Sequence, residues 1–212
     1  MSNSELFTLF GIGGYLLGSI PFGLVLCFLA GYGDIRKIGS GNIGATNVLR
    51  TGNKTLALLT VLLDASKAGL AAYIAKECCP NYAYDLYGMP TTVSQLAALI
   101  AGTCAILGHN FPVWLKFKGG KGVASAFGFV LVLNPQIALV ALLIWIAMAI
   151  MFRYSSLSAI TAVFFVPVLT YYMSDMVHLV FYTFIVVLIL VRHHANFVRL
   201  FNGQESKIKF KK

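Results

Sequence analysis

Two long stretches without any charged side chain constrain the fold of this 212-residue chain more than any other feature. Residues 6–33 and residues 122–152 contain no Asp, Glu, Lys or Arg. A window of about 20 apolar residues is the length of one membrane-spanning helix. Hydrophobic residues make up 58% of the chain and charged residues 11%, which is too few charges for the surface of a soluble domain. The sequence therefore predicts an all-α, polytopic integral membrane protein.

The charge-poor stretches predict about seven transmembrane helices. The run 122–152 is too long for one span, and Asn134-Pro135 indicates a turn within it. Dividing the run there leaves 122–133 as a short segment, which either spans the bilayer or is re-entrant. The predicted helices are 6–29, 55–75, 94–111, 122–133, 136–152, 157–173 and 176–191.

The distribution of Lys and Arg predicts the orientation of the chain. With seven crossings and the N-terminus outside, the inner segments are 34–54, 114–121, 153–156 and 192–212, and they hold 14 of the 16 basic residues. We therefore expect a single membrane domain over 1–202 and a basic, loose cytoplasmic tail over 203–212. The net charge of +9 is scattered between apolar runs, which favours membrane anchoring and an anionic substrate over nucleic acid.

The first inner segment contains a glycine-rich loop, Gly39-Ser-Gly-Asn-Ile-Gly-Ala-Thr-Asn47, followed by Arg50. Glycines permit tight turns and close approach of the backbone to a ligand. A helix beginning near Ala45 would point its first amides at the loop, and Arg50 could hold a phosphate bidentately. A solvated turn with a polar helix cap is the alternative. The residues predicted to bind substrate here are Ser40, Asn42, Thr46, Asn47 and Arg50.

A second glycine-rich loop follows the third predicted helix. It reads Gly108-His-Asn-Phe-Pro112, then Phe117-Lys-Gly-Gly-Lys-Gly-Val-Ala124. Lys118 and Lys121 flank a glycine turn that opens the next helix, an arrangement suited to phosphate. Positive-inside anchoring explains the lysines but not the glycines between them. His109 is either a ligand or a capped residue at a helix end, and the sequence leaves both interpretations open.

Charged residues within a predicted span form the next feature. Asp64 and Lys67 are three residues apart on one helix face, and burying a charge at membrane depth costs about 2.5–3.5 kcal/mol. We expect them to pair with each other or with a loop and to support the site. Two further polar clusters, Arg153-Tyr-Ser-Ser156 and Arg192-His-His-Ala-Asn196, each resemble a membrane-edge anchor.

Taken together, these motifs resemble those of the bacterial PlsY family of acyl-phosphate:glycerol-3-phosphate acyltransferases. The similarity runs from Gly18-Ser-Ile-Pro21 to about Gly203 and includes Arg192–Asn196 with Arg199-Leu200. It implies a seven-helix inner-membrane enzyme, with its active site toward the cytoplasm, that performs the first acylation of phospholipid synthesis. Ser156 is the position hardest to assign, because Ser155 and Ser158 lie beside it. The resemblance places these residues at the site: Ser40, Asn42, Thr46, Arg50, Lys121, Ser156, His193 and Asn196.

The expected reaction transfers a fatty acyl group from acyl phosphate to the sn-1 hydroxyl of glycerol 3-phosphate, giving lysophosphatidic acid and phosphate. Catalytic roles are expected for Lys121, Ser156, His193 and Asn196, and either His193 or the donor phosphate takes the hydroxyl proton. The inner loops of about 20, 8 and 4 residues offer little surface for coenzyme A. Membrane lipids surround the enzyme, and a soluble enzyme that makes acyl phosphate is an expected functional partner.

Two other functional classes are weighed against the enzyme. A small transporter for an anion or lipid phosphate also has broken helices and intramembrane charges, but it needs polar residues accessible from both sides. A lipid-binding scaffold would not need four polar clusters. No cofactor or metal is expected, since none of the four cysteines has metal-ligand spacing with a histidine.

Overall fold

The computed structural model describes residues 1–208, so the last four residues of the predicted basic tail lie outside the described part. Residues 1–208 form ten α-helices and one β-hairpin. The helices are α1 Asn3–Gly18, α2 Phe22–Leu29, α3 Ala45–Val48, α4 Lys54–Cys78, α5 Val93–Asn110, α6 Val123–Leu133, α7 Pro135–Phe152, α8 Ser155–Met173, α9 Met176–Arg192 and α10 His194–Phe201. Short 3₁₀ turns cover Ile35–Lys37, Leu49–Thr51 and Val113–Leu115.

Five helical segments are long and apolar enough to cross a membrane within residues 1–208. They are Asn3–Leu29, Lys54–Cys78, Val93–Leu115, Pro135–Phe152 and Ser155–Met173. A sixth arises if α9 and α10, bent by 54°, count as one span. The 11 residues of α6 rise only about 16 Å, roughly half of a hydrocarbon core. The predicted helical membrane fold is present, while seven crossings and an outside N-terminus stay predictions.

Proline residues set helix boundaries at two places in the chain. The predicted division at Asn134-Pro135 is confirmed: α6 ends at Leu133, and Pro135 is the first residue of α7, where its missing N–H leaves no bond unmade. The predicted first helix, 6–29, lies within the apolar segment Asn3–Leu29, and the chain divides it into α1 and α2 by a break between Gly18 and Phe22. Pro21 cannot donate the hydrogen bond that a continuous helix requires there.

The β-hairpin is a departure from an all-α chain. Strands β1 Ala83–Leu86 and β2 Met89–Thr92 pair antiparallel, with Ala83 opposite Thr92 and Leu86 opposite Met89. Tyr87 and Gly88 form the two-residue turn with φ of 52° and 81°. Positive φ at both positions matches the twist of a tight hairpin.

The chain divides into two compact units, Met1–Leu133 and the part that begins at Asn134. In the first unit, α1 packs on α5 and α4 packs on α5 and α6. A Cβ at Gly18 would overlap the backbone of Ala105, and one at Gly128 would overlap the backbone of Ala65. Small residues thus let these helix backbones approach closely, which is how membrane helices gain packing contacts.

In the second unit, α8 packs between α7 and α9. Tyr182 donates a 2.6 Å hydrogen bond to Asn134, and Asn134 donates to Ser174 at 3.3 Å. Asp175 caps α9 by accepting from the backbone of His178 and also contacts its ring at 2.9 Å. These bonds hold the start of α7 against the connection between α8 and α9.

Candidate active site

The glycine-rich loop of the first unit is organised by the side chain of Asn47. This residue is 2% exposed. Its amide nitrogen donates at 2.8 Å to the carbonyls of Ile35 and Asn42, and its oxygen accepts from the backbone and hydroxyl of Ser40 at 3.2 and 3.4 Å. Asn47, which the sequence predicted to bind substrate, therefore uses its side-chain amide for hydrogen bonds within the loop.

The polar residues on the outside of this loop are differently placed. Ser40 and Thr46 are exposed, and Asn42 is half-buried with its side-chain oxygen accepting from the amide of Gly44 at 2.9 Å. Gly44 precedes α3, the one-turn helix expected near Ala45. The exposed hydroxyls lie where a ligand in solution could reach them.

Arg50 crosses back over the start of the same loop. Gly39 has φ +55°, and a Cβ there would overlap the guanidinium and Cδ of Arg50 and contact the Asn47 side chain. Glycine at position 39 suits the left-handed backbone, and its missing Cβ leaves the space that the Arg50 side chain occupies. This contact brings together Arg50 and the loop that the sequence predicted to bind phosphate.

Asp64 and Lys67 form an ion pair inside the first unit. The Lys67 ammonium lies 2.9 Å from Asp64 Oδ1, and both residues are at most 3% exposed. Lys67 also donates at 3.0 Å to the carbonyl of Ile20, at the break between α1 and α2, and lies 5.8 Å above the ring of Phe22. The pair thus satisfies a carbonyl at the broken helix while neutralising its own buried charges.

His109 lies near the end of α5, beside this ion pair. Its Nδ1 is 3.6 Å from Asp64 Oδ1, and the residue is 5% exposed. The following Asn110 is fully buried. This placement is deep within the first unit and differs from that of Ser40 and Thr46.

The second glycine-rich loop folds back against the end of α5. Gly119 donates to the carbonyl of Asn110 at 3.2 Å, and Gly120 donates to that of His109 at 2.9 Å. A Cβ at Gly119 would overlap the His109 carbonyl, and one at Gly120 would overlap the His109 ring. Packing therefore accounts for two glycines of the expected phosphate cradle, and their amides already have protein acceptors.

Lys118 and Lys121 flank this turn on the chain. Lys118 is exposed and Lys121 is half-buried, directly before Gly122 and the first turn of α6. The amides of that first turn lack acceptors within their own helix, and the helix dipole is positive there. Lys118 and Lys121, together with the N-terminus of α6, therefore form an arrangement that could bind an anion.

In the second unit, the Glu205 carboxylate accepts hydrogen bonds from three polar side chains. Its Oε1 accepts from Ser156 and Asn196, both at 2.8 Å, and its Oε2 accepts from Arg199 at 2.7 Å. Burial raises the pKa of Glu205, but the hydrogen bonds from Ser156, Arg199 and Asn196 outweigh it and hold the pKa below its usual range. The carboxylate is thus kept ionised at neutral pH.

Within the second unit, the hydrogen bonds of Glu205 attach the tail segment after α10 to α8 and α10. Ile208 adds a hydrogen bond from its amide and accepts two from the guanidinium, all with Arg153. The expectation of a loose tail is therefore wrong for 203–208. Its residues 209–212 lie outside the described part of the chain.

Ser156 and His193 have defined surroundings in this unit. Ser156 is 7% exposed and bonds Glu205, whereas Ser158 bonds back to the carbonyl of Tyr154 at 2.8 Å. His193 is 3% exposed, and its Nδ1 lies 2.8 Å from the carbonyl of Ile189. Since a carbonyl only accepts, Nδ1 carries the proton in this contact, and when the ring is neutral its lone pair is on Nε2.

Sequence reasoning missed Glu205 as a site residue. It is the only acidic side chain in the basic segment 192–212, and this feature of the sequence could have indicated its role. Arg199 belonged to the recognised motif without being assigned a role. Among residues 1–208, no group of three or more His, Cys, Asp or Glu side chains could hold a metal ion.

Comparison with known proteins decides the family. A family model described as "Glycerol-3-phosphate acyltransferase" matches residues 8–203. The chain belongs to this glycerol-3-phosphate acyltransferase family. A glycerol-3-phosphate acyltransferase of Mesorhizobium japonicum is 51% identical over 195 residues, covering 92% of each chain. One from Rhodospirillum rubrum is 48% identical over 201 residues, covering 95% of this chain and 90% of its own.

Solved structures of this acyltransferase family are also similar to the chain. Two crystal structures of PlsY (YgiH), described as an integral membrane glycerol 3-phosphate acyltransferase, match with TM-scores of 0.84 and 0.82. They are 36% and 35% identical and cover 96% of this chain and 96% and 95% of their own. One is the glycerol 3-phosphate form and the other the lysophosphatidic acid form. The predicted resemblance to PlsY is confirmed, and the chain is a membrane glycerol-3-phosphate acyltransferase.

Proposed function

We propose that this chain transfers a fatty acyl group from an acyl phosphate to the sn-1 hydroxyl of glycerol 3-phosphate. The observation that carries the proposal is the pair of similar structures, one named for glycerol 3-phosphate and the other for lysophosphatidic acid. These two molecules differ by one acyl group, so they are the acceptor and the product of a single acylation. The matching motifs cover almost all of the chain.

The hydroxyl oxygen attacks the acyl carbonyl carbon, and the bond from that carbon to the phosphate oxygen breaks. Inorganic phosphate leaves, and the hydroxyl proton passes either to Nε2 of His193 or to the donor phosphate. Because phosphate is a good leaving group, positioning and charge stabilisation supply most of the catalysis. No serine nucleophile and no covalent acyl-enzyme are needed.

The polar residues of the first unit support a role in phosphate binding. Arg50, held above Gly39, binds the phosphate of the acceptor, with Ser40, Asn42 and Thr46 as hydrogen-bonding partners. Asn47 acts through the loop that its amide holds together.

Lys121 stabilises the donor phosphate as negative charge builds on it, and Lys118 adds a second positive charge. A compact ammonium beside a helix N-terminus suits a phosphate that leaves as an anion. In the second unit, the family resemblance implies catalytic roles for Ser156, His193 and Asn196, and Glu205 orients Ser156 and Asn196.

The proposed location is the bacterial inner membrane, with the reaction on the cytoplasmic side. The basic residues near both polar clusters support this orientation under the positive-inside rule. A soluble enzyme that forms acyl phosphate would then supply the donor from the cytoplasm. An acyl-coenzyme A donor would bring an adenine and a ribose phosphate, for which the short inner loops offer little surface.

The deciding experiment incubates the purified protein in detergent with glycerol 3-phosphate and either palmitoyl phosphate or palmitoyl-coenzyme A. We expect release of inorganic phosphate and formation of 1-palmitoyl-glycerol 3-phosphate with palmitoyl phosphate alone, identified by mass spectrometry. Comparable turnover with coenzyme A would overturn the donor assignment and the role of Lys121. Folded protein that forms no acylated product with either donor would reopen the transporter hypothesis.

A further inference from the structure

One helical turn of α4 connects several elements of the first unit. Lys67, paired with Asp64, donates to the carbonyl of Ile20 at the break between α1 and α2. The hydroxyl of Ser125 on α6 donates at 2.7 Å to the backbone carbonyl of Asp64. His109 on α5 approaches the Asp64 carboxylate at 3.6 Å. Asp64 is therefore the residue at which α4, α5 and α6 meet.

Residues on both sides of Lys121 in the sequence make these contacts. Gly120, directly before it, donates to the His109 carbonyl, and its Cα lies so close to the His109 ring that a Cβ would overlap Nε2. Ser125, four residues after Lys121, is bound to the carbonyl of Asp64. The two flanks of the lysine are thus attached to Asp64 and to a histidine beside Asp64.

We infer that Asp64 and His109 are positioning residues for Lys121 and that His109 does not itself bind substrate. At 3.6 Å the carboxylate and Nδ1 are beyond a normal hydrogen bond but close enough for the carboxylate to favour one orientation of the buried ring. The carboxylate orients the imidazole, the imidazole ring packs against Gly120, and the backbone at Gly120 places the Lys121 ammonium. The inference rests on the proposed role of Lys121 in stabilising the donor phosphate.

In this arrangement the ion pair also compensates the charge of the Asp64 carboxylate that lies beside His109. Without Lys67, the Asp64 carboxylate would be a buried, uncompensated charge. Replacing both charges with neutral groups of similar shape, D64N/K67M, removes that cost while also removing the carboxylate beside His109. The double variant therefore separates a purely structural ion pair from one that also orients the histidine.

The test compares three variants with the wild-type enzyme. His109→Leu removes the imidazole and keeps the ion pair, D64N/K67M removes the carboxylate and the ammonium together, and Thr103→Val is the control. Thr103 is a buried residue on α5 whose hydroxyl makes no hydrogen bond within the described part of the chain. The measurements are thermal unfolding, kcat and the KM of each substrate, and hydrogen exchange of the amides in peptides that contain 118–122.

Positioning predicts a fall in kcat of roughly 10- to 100-fold for both test variants, as expected for a displaced catalytic group. The KM for glycerol 3-phosphate stays unchanged, exchange at 118–122 becomes faster, and T103V behaves like wild type. Wild-type kcat and exchange in folded D64N/K67M, or a raised KM for glycerol 3-phosphate with unchanged exchange in H109L, overturns the inference. If D64N/K67M does not fold, H109L decides alone, since its ion pair is intact. An inactive wild-type enzyme would instead indicate failure of the proposed function.

Discussion

Ser156 donates a 2.8 Å hydrogen bond to Glu205, a residue 49 positions later in the chain. Asn196 donates to the same carboxylate oxygen, also at 2.8 Å, so one acidic side chain orients two residues of the proposed catalytic set. The carboxylate accepts from Arg199 through its other oxygen. Glu205 is consequently the residue on which the polar cluster of the second unit depends.

Replacing Glu205 with Ala should destabilise the second unit and reduce activity together. The change leaves the donors of Ser156, Asn196 and Arg199 without their acceptor, at a cost of about 1–3 kcal/mol for each buried group left unpaired. Thermal unfolding in detergent and turnover per folded molecule measure the two effects. Glu77→Gln, an exposed change near the end of α4, is the control and should match wild type.

The same carboxylate predicts a pH dependence of stability. Because its pKa is lowered in the folded protein, its stabilising contribution is fully present above the ordinary glutamate pKa of about 4.3 and is lost as pH falls through the lowered value. Thermal unfolding of wild type and Glu205→Gln over a pH series should show a gap that narrows at acidic pH. A gap that is independent of pH below 4.3 would contradict this assignment.

Gly39→Ala should raise the KM for glycerol 3-phosphate at least as clearly as Arg50→Lys. The added Cβ would displace the guanidinium that overlies position 39. Gly52→Ala is a matched control, because Gly52 has φ +86° with open space around its Cα. It should cost about 1 kcal/mol of stability from backbone strain and leave that KM unchanged. Equal KM values in the two glycine variants would remove the role given to Arg50.

Lys121→Ala and Lys121→Arg should both lower kcat, since a planar guanidinium does not replace a compact ammonium beside a helix N-terminus. Removing one donor that stabilises developing negative charge costs roughly 100- to 1,000-fold in comparable sites. Steady-state kinetics with palmitoyl phosphate measure the loss, and the exposed Lys37→Ala serves as control. Full activity of Lys121→Arg would show that charge alone suffices.

Ser156→Ala should impair turnover, whereas Ser155→Ala should retain most of it. Ser156 is buried and bonded to Glu205, while Ser155 is half-buried at the start of α8. The comparison resolves which of the two adjacent serines belongs to the site. A larger loss in Ser155→Ala would assign the motif to the neighbouring position.

Much of the fold and the family could be predicted from local patterns in the sequence. The charge-free run 122–152 predicted membrane helices, and Asn134-Pro135 predicted the boundary between α6 and α7 to within a residue. The glycine-rich motifs were specific enough to indicate the acyltransferase family. Apolar length and missing backbone donors act within a few residues along the chain, so the linear sequence displays them directly.

The tertiary structure alone decided what the polar residues contact. The sequence predicted Asn47 as a substrate-binding residue and left two interpretations open for His109. In the structure Asn47 holds its own loop, and His109 lies beside Asp64 and Gly120. Glu205 carried no local pattern that tied it to Ser156. The contacts of Asp64 with His109 and of Ser156 with Glu205 join residues far apart in sequence, and they depend on how the helices pack. That packing is a property of the folded chain, because no window of neighbouring residues contains both sides of the contact.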